Sequence, residues 1–170
     1  HLHHALKTSL EVSFKADFCV GYFNLRGWRL IDEPVEAFSG DDDQCCRLLV
    51  GMTTAPDVEL RRRLVPLHSD SSPMDQGQAI RIKRELARSF RDQLCYGLPT
   101  AQDEAGLQKL KHQLASRKVV VKVYTRHPLH AKLYLAFRND PINPIIGYVG
   151  SSNLTFSGLG NQGELNVDVM

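Results

Sequence analysis

Val119-Val-Val-Lys-Val-Tyr124, Ala131-Lys-Leu-Tyr-Leu-Ala-Phe137, Ile145-Ile-Gly-Tyr-Val149 and Leu165-Asn-Val-Asp-Val169 are four short runs of β-branched and aromatic residues divided by turn signals. They predict strands in a chain whose earlier part reads mostly with a helical period. Leu2, Leu6, Leu10 and Phe14 recur every four residues and predict a helix over Leu2 to Ala16. Between Met74 and Tyr96, Ala79, Ile82, Leu86, Phe90 and Leu94 fall on one side of a helix, and Arg81, Arg84, Arg88 and Arg91 on the other. A further helix is predicted over Asp103 to Ser116 and a short one over Trp28 to Phe38. Phe18 to Phe23 and Arg47 to Gly51 have strand composition, whereas Thr53 to Pro73, broken by three prolines, reads as loop with one helical turn around Arg61. Strands and helices alternating in this way predict one α/β domain over residues 1–170 with a mixed sheet.

Composition bounds the function classes. At 170 residues and 42% hydrophobic content the chain can bury one sizeable core. No run approaches the roughly 18 apolar residues of a membrane span, and the start lacks the basic-then-apolar pattern of a secretory signal, so a soluble, cytoplasmic protein with no membrane partner is expected. Cys19, Cys45, Cys46 and Cys95 form no C-x-x-C pair, and reduced thiols are expected. A net charge of +2 is too small for bulk electrostatics to identify a nucleic-acid partner, which has to be sought in local patches.

The chemistry concentrates in the strand-rich third. His130 and Lys132 stand two positions apart at the start of a predicted strand, so period-two alternation places both side chains on one face. Gly150-Ser-Ser-Asn153 ends the next strand, where a glycine permits close backbone approach and small polar side chains can bind a phosphate oxygen. Glu164 follows eleven residues after Asn153 and can accept a proton from one imidazole nitrogen, leaving the other as nucleophile.

At these residues the chain resembles the phospholipase D superfamily, whose signature is H-x-K, four residues, Asp, six residues and G-S-x-N. The matching residues are His130-Ala-Lys132 and Gly150-Ser-Ser-Asn153, and small bacterial nucleases of the family carry a Glu where Glu164 falls. The surrounding H-A-K-L-Y, G-S-S-N-L-T and G-E-L-N-V look most like the subgroup attached to helicases and restriction-type endonucleases, which implies a helicase domain in the same full-length chain. The resemblance at motif level covers roughly His130 to Val169. It implies a phospholipase D-like single repeat, a mixed β-sheet flanked by helices on both faces, and a metal-independent phosphodiesterase, a DNA endonuclease or nuclease domain, that needs no cofactor. One histidine attacks phosphorus and a second protonates the leaving oxygen. His130, Lys132, Ser151, Asn153 and Glu164 are then the catalytic set, with Lys132, Ser151, Ser152 and Asn153 lining the substrate phosphate.

The chain departs from the pattern at the motif Asp, which would fall on Phe137, and the interval from Lys132 to Gly150 is about six residues longer than usual. Tyrosyl-DNA phosphodiesterases and some restriction-type members of the superfamily lack that Asp too. Asp140, in the turn Arg138-Asn-Asp-Pro141, reads as a turn former. Since the chain has a single H-x-K, the second histidine is expected from another copy, in a homodimer sharing one active site.

Two other classes compete: a phospholipase or phosphatidyltransferase, which should carry an apolar collar beside His130, and an inactive dimerisation or DNA-docking module, which should lack one of the four core residues. The arginine stripe at Arg81, Arg84, Arg88 and Arg91 is a candidate nucleic-acid contact, set against an ordinary solvated face with Glu85 and Asp92 available for ion pairs. Arg61-Arg-Arg63 can grip phosphates, set against an ordinary surface cluster beside Glu59. His1, His3 and His4 read as a solvated terminus rather than a metal site.

Overall fold

The computed structural model describes residues 2–41, 43–51, 76–95, 100–124, 129–161 and 166–169. In chain order these form α1 (Leu2–Glu11), β1 (Lys15–Val20), α2 (Leu25–Trp28), α3 (Asp32–Val35), β2 (Cys46–Gly51), α4 (Gln76–Leu94), α5 (Ala101–Ala115), β3 (Val119–Tyr124), β4 (Lys132–Phe137), β5 (Ile145–Gly150), a π-helical turn (Ser157–Asn161) and β6 (Asn166–Val169). The predicted interval Thr53 to Pro73, with Arg61 to Arg63, lies outside the described residues.

The six strands form one mixed sheet in the order β3-β2-β1-β4-β5-β6. β1 pairs parallel with β2, and β2 parallel with β3; β4, β5 and β6 are added by antiparallel pairing. Register sets which side chains share a face, since Phe18 stands opposite both Leu48 and Tyr134, and Leu48 opposite Val121. That face carries the core. Ala16, Phe18, Val20, Cys46, Leu48, Val50, Val119 and Tyr134 join one apolar cluster with Leu2, Leu6 and Leu10 of α1, Trp28 of α2, Leu94 of α4 and Leu110 of α5.

Helices were expected on both faces of the sheet. Among the described residues, those contributing to the core gather on one. The strand order supplies the reason: β1 to β2 to β3 steps in a single direction across the sheet, and right-handed crossovers made in one direction leave their helices on the same side. The other face carries the ion pair between Asp17 and Arg47 and the Lys15 ammonium 5.2 Å from the Phe137 ring centre, with Val149 and Val167 exposed.

Local physics moves several predicted boundaries. α1 ends at Glu11, and Phe14 leads into β1 with its N–H donating to Phe137 O. The predicted Trp28–Phe38 helix is two short ones. Asn24 caps α2 by accepting from Gly27 N at 2.8 Å, and α3 follows after a break at Ile31. A buried polar relay ties these pieces to α5: Trp28 Nε1 donates to Gln113 Oε1 at 2.9 Å, and Gln113 Nε2 donates to Asp32 O and to Glu36 Oε1. α5 begins on a reciprocal cap between Thr100 and Asp103. Asp103 also receives Arg26 and Arg29, and the hydrogen bond from Arg26 is the chief cause that holds its carboxyl down to about 2. No helix among the described residues is long and apolar enough to cross a membrane.

Candidate active site

The sheet's directions bring the predicted residues to one end of it. β1, β2 and β5 run the same way, so the carboxyl ends of these strands meet the amino end of β4. Val20, the last residue of β1, pairs with Lys132, the first of β4, and Gly21 N donates to Ala131 O at 2.9 Å. β5 ends at Gly150, and the segment after it turns back along Tyr22 to Asn24. There Leu154 N donates to Tyr22 O at 3.2 Å, and Asn24 N to Leu154 O at 3.1 Å. The H-x-K and G-S-S-N segments therefore converge on the residues that follow β1.

Lys132 lies on the core face of the sheet, at its rim, and is only 8% exposed. Burying an ammonium is costly unless partners replace its water. Its Nζ stands 2.8 Å from His130 Nδ1, 3.1 Å from Nε2 and 3.2 Å from His130 O. An ammonium only donates, so the ring nitrogen that takes its proton must present a lone pair. His130 itself precedes β4 and is exposed, with Tyr22 edge-on to its ring at 6.3 Å between centres. A reactant can therefore reach the imidazole from solvent while the lysine stays beneath it.

Asn153 is partly buried beside them, and its orientation is fixed by chemistry. Tyr22 N donates to Asn153 Oδ1 at 3.0 Å, and since a backbone N–H can only donate, the oxygen of the amide faces Tyr22. The amino group Nδ2 is then the end turned to other acceptors. Ser151 is exposed on the same segment, whereas Ser152 is fully buried (0% exposed), and its carbonyl accepts from Tyr134 Oη at 2.8 Å. Ser152 was expected to line the phosphate with Ser151. With no exposed surface it instead anchors the segment to the core.

Three glycines set the spacing. A methyl group on Gly21 would stand 3.1 Å from Asn153 Oδ1 and 3.3 Å from His130 Cδ2, so the two side chains flank a position that only hydrogen fits comfortably. On Gly51, at the end of β2, it would lie 2.1 Å from Leu129 O, inside the backbone that carries His130. On Gly158, in the π-helical turn, it would lie 2.6 Å from Asn153 O. Gly21 lies inside the predicted strand Phe18 to Phe23, but the fold ends β1 at Val20, so that Gly21, Gly51 and Gly150 each follow a Val at or next to a strand end. That repeated Val-Gly pair is the signal that points to them. Tyr134 went unnoticed because an aromatic residue on a strand reads as core.

The other predicted residues fall elsewhere. Glu164 lies outside the described residues. Phe137, at the position of the motif Asp, ends β4 at the opposite end of the sheet from His130, and Asp140 accepts from Ile142 N and Asn143 N in the hairpin beyond it. Arg81, Arg84, Arg88 and Arg91 are exposed on α4, whose Phe90 stacks on Phe23 with ring centres 5.9 Å apart. His3, expected in a solvated terminus, sits with Nδ1 3.2 Å from Leu159 O of the π-helical turn. Among the described residues no three His, Cys, Asp or Glu side chains cluster as metal ligands. Compared with known proteins, the chain matches no family model and no curated sequence.

Proposed function

We propose that this chain is a phospholipase D-type phosphodiesterase acting on nucleic acid through His130, and that two copies share one active site. What carries the proposal is the contact between Lys132 Nζ and the His130 ring, made beside an amide whose oxygen is held by Tyr22 N. A phosphodiester seated above His130 would draw the Lys132 ammonium from the ring to a nonbridging oxygen, which frees the imidazole lone pair for attack and leaves Asn153 as the second donor. The imidazole attacks phosphorus, the bond to the leaving oxygen breaks, and a phosphohistidine forms. Lys132 and Asn153 neutralise charge on the nonbridging oxygens as it builds, the task a metal performs in other phosphodiesterases. Ser151 adds a hydrogen bond from the exposed rim. Water then releases the product from the histidine, and by resemblance Glu164 would fix the imidazole tautomer.

The leaving oxygen needs a proton, and this chain has a single H-x-K. A second copy about a two-fold axis supplies the acid as its own His130. The resemblance of the motif surroundings to helicase-linked and restriction-type members favours DNA as substrate. It also implies that the domain works beside a helicase domain.

Cleavage of an aryl phosphodiester and of single-stranded DNA should survive a chelator and vanish in His130→Ala. Activity that disappears with chelator and returns with magnesium would overturn the mechanism. Mixing wild-type with His130→Ala chains should lower activity by more than dilution alone, because a mixed dimer holds one histidine of the pair. Full activity in a monomer at low concentration by light scattering would refute the shared site.

A further inference from the structure

We infer that the exposed face of α4 is a track for a nucleic-acid backbone, formed by Arg81, Arg84, Arg88 and Arg91 and leading to the site around His130. The inference rests on the phosphodiesterase proposal for its direction, since it names where the chain of phosphates lies beyond the one being cut.

The carrying observation is a contrast among arginines. Arg26 and Arg29 are held by Asp103, Arg47 by Asp17 and Arg138 by Asp140. Among the described residues, none of the four α4 guanidiniums has a hydrogen bond or ion pair, and Asp92 on the same helix, also exposed, engages none of them. A solvated face laced with local pairs, the ordinary explanation of such a stripe, is therefore not what α4 presents. Spacings of three, four and three residues put the four on one side of the helix over roughly 15 Å, the axial rise of about four phosphates along one strand. Planar forks without carboxylate partners suit phosphate oxygens.

Placement gives the track its destination. Phe90, between Arg88 and Arg91, stacks on Phe23, and Phe23 bridges to Leu154, next to Asn153. The carboxyl half of α4 is thus fastened beside the G-S-S-N segment, and Leu94 fixes it in the core. The same anchoring argues against a membrane surface as partner. Phe90 and Leu94 are committed inward, and Ile80 is the one large apolar side chain found exposed on α4 among the described residues.

The test measures binding of a labelled single-stranded DNA oligonucleotide by anisotropy over a range of salt, in the His130→Ala background so that the probe stays intact. Replacing all four arginines by Gln should reduce the slope of log affinity against log salt by up to about 3 and weaken binding by at least about tenfold at low salt. Replacing all four by Lys should retain most of the slope. With His130 restored, the ratio of DNA cleavage to aryl phosphodiester cleavage should fall at least about tenfold in the Gln variant, reflecting lost backbone contacts. An unchanged slope in a Gln variant with wild-type circular dichroism would overturn the track, as would equal loss in the Lys variant. So would arginine-dependent sedimentation with phosphatidylserine-containing vesicles without any effect on DNA. Failure of the wild type to cleave either substrate would instead count against the site, leaving the binding slope to judge the track.

Discussion

The two ends of the sheet use the same kind of contact for different ends. At one, Asn153 Oδ1 accepts from Tyr22 N; at the other, Asp140 Oδ1 accepts from Ile142 N at 2.9 Å and Asn143 N at 3.0 Å. In the hairpin the side chain is consumed by the turn it makes, and Arg138 closes the group by donating to Asn143 O and pairing with Asp140. At the His130 end the backbone N–H of Tyr22 holds the oxygen of the amide, and in the proposed function the amino group meets the phosphate. The lesson is that polar residues at a strand end become a site when their partners fix an orientation without exhausting their capacity. An amide suits that use because it is donor and acceptor at once, whereas a carboxylate only accepts.

The sharpest way to break this comparison is to remove the reactive group. His130→Ala should lower phosphodiester cleavage at least about a thousandfold, whereas Asp140→Ala should leave turnover within about twofold. Thermal melting should fall as well, because the substitution takes a ring partner from the buried Lys132 ammonium. Comparable losses of activity in both variants would erase the distinction between the two ends.

Gly51→Ala comes next in size. Its methyl would enter Leu129 O, and backbone has to shift to admit it. A displacement of that kind in the segment carrying His130 should cost on the order of a hundredfold in turnover, measured on the aryl diester. Gly21→Ala, whose two nearest contacts are side-chain atoms at 3.1 and 3.3 Å, should cost less. Wild-type turnover in Gly51→Ala would show that the close approach has no part in positioning.

Tyr134→Phe tests how the G-S-S-N segment is anchored. It removes the hydrogen bond from Tyr134 Oη to the carbonyl of the buried Ser152, a loss of about 0.5–1.5 kcal/mol in stability by denaturant melting. If Tyr134 held nothing in place, the melt would be unchanged.

The smallest effect separates carboxylate from amide. Hydrogen bonds from Asn143 N and then Ile142 N hold the Asp140 carboxyl below its ordinary range. A depressed folded-state pKa gives stability that is full above the ordinary carboxylate value of about 4 and is lost as pH falls through the folded value. Amide exchange at Ile142 and Asn143 should therefore gain relative to Tyr22 as pH drops through that window, since Asn153 does not titrate. Parallel behaviour of the two sets would contradict it.

Much of this was legible in the chain itself, for reasons that differ by region. Val119 to Tyr124 is a strand at its predicted bounds because its run of β-branched valines, closed by a tyrosine, favours extended backbone whatever the burial. His130, Lys132 and Asn153 could be grouped because strand alternation and a strand-end glycine are local facts. Helix sidedness was not legible, because it follows from strand order, a global property that no single period encodes. The burial of Ser152 and the closeness of Gly51 to Leu129 depend on which segment crosses which, and adjacent Ser codes look alike until the fold turns one inward. That Arg81, Arg84, Arg88 and Arg91 have no partner among the described residues likewise needed the structure, since Asp92 stands near enough in sequence to have joined them.

The most direct measurement is mass spectrometry of the chain denatured rapidly during turnover of a nucleotide aryl diester. The account predicts a nucleotidyl adduct on His130, absent from His130→Ala and present with chelator. Steady cleavage without any adduct, or an adduct on another side chain, would contradict it.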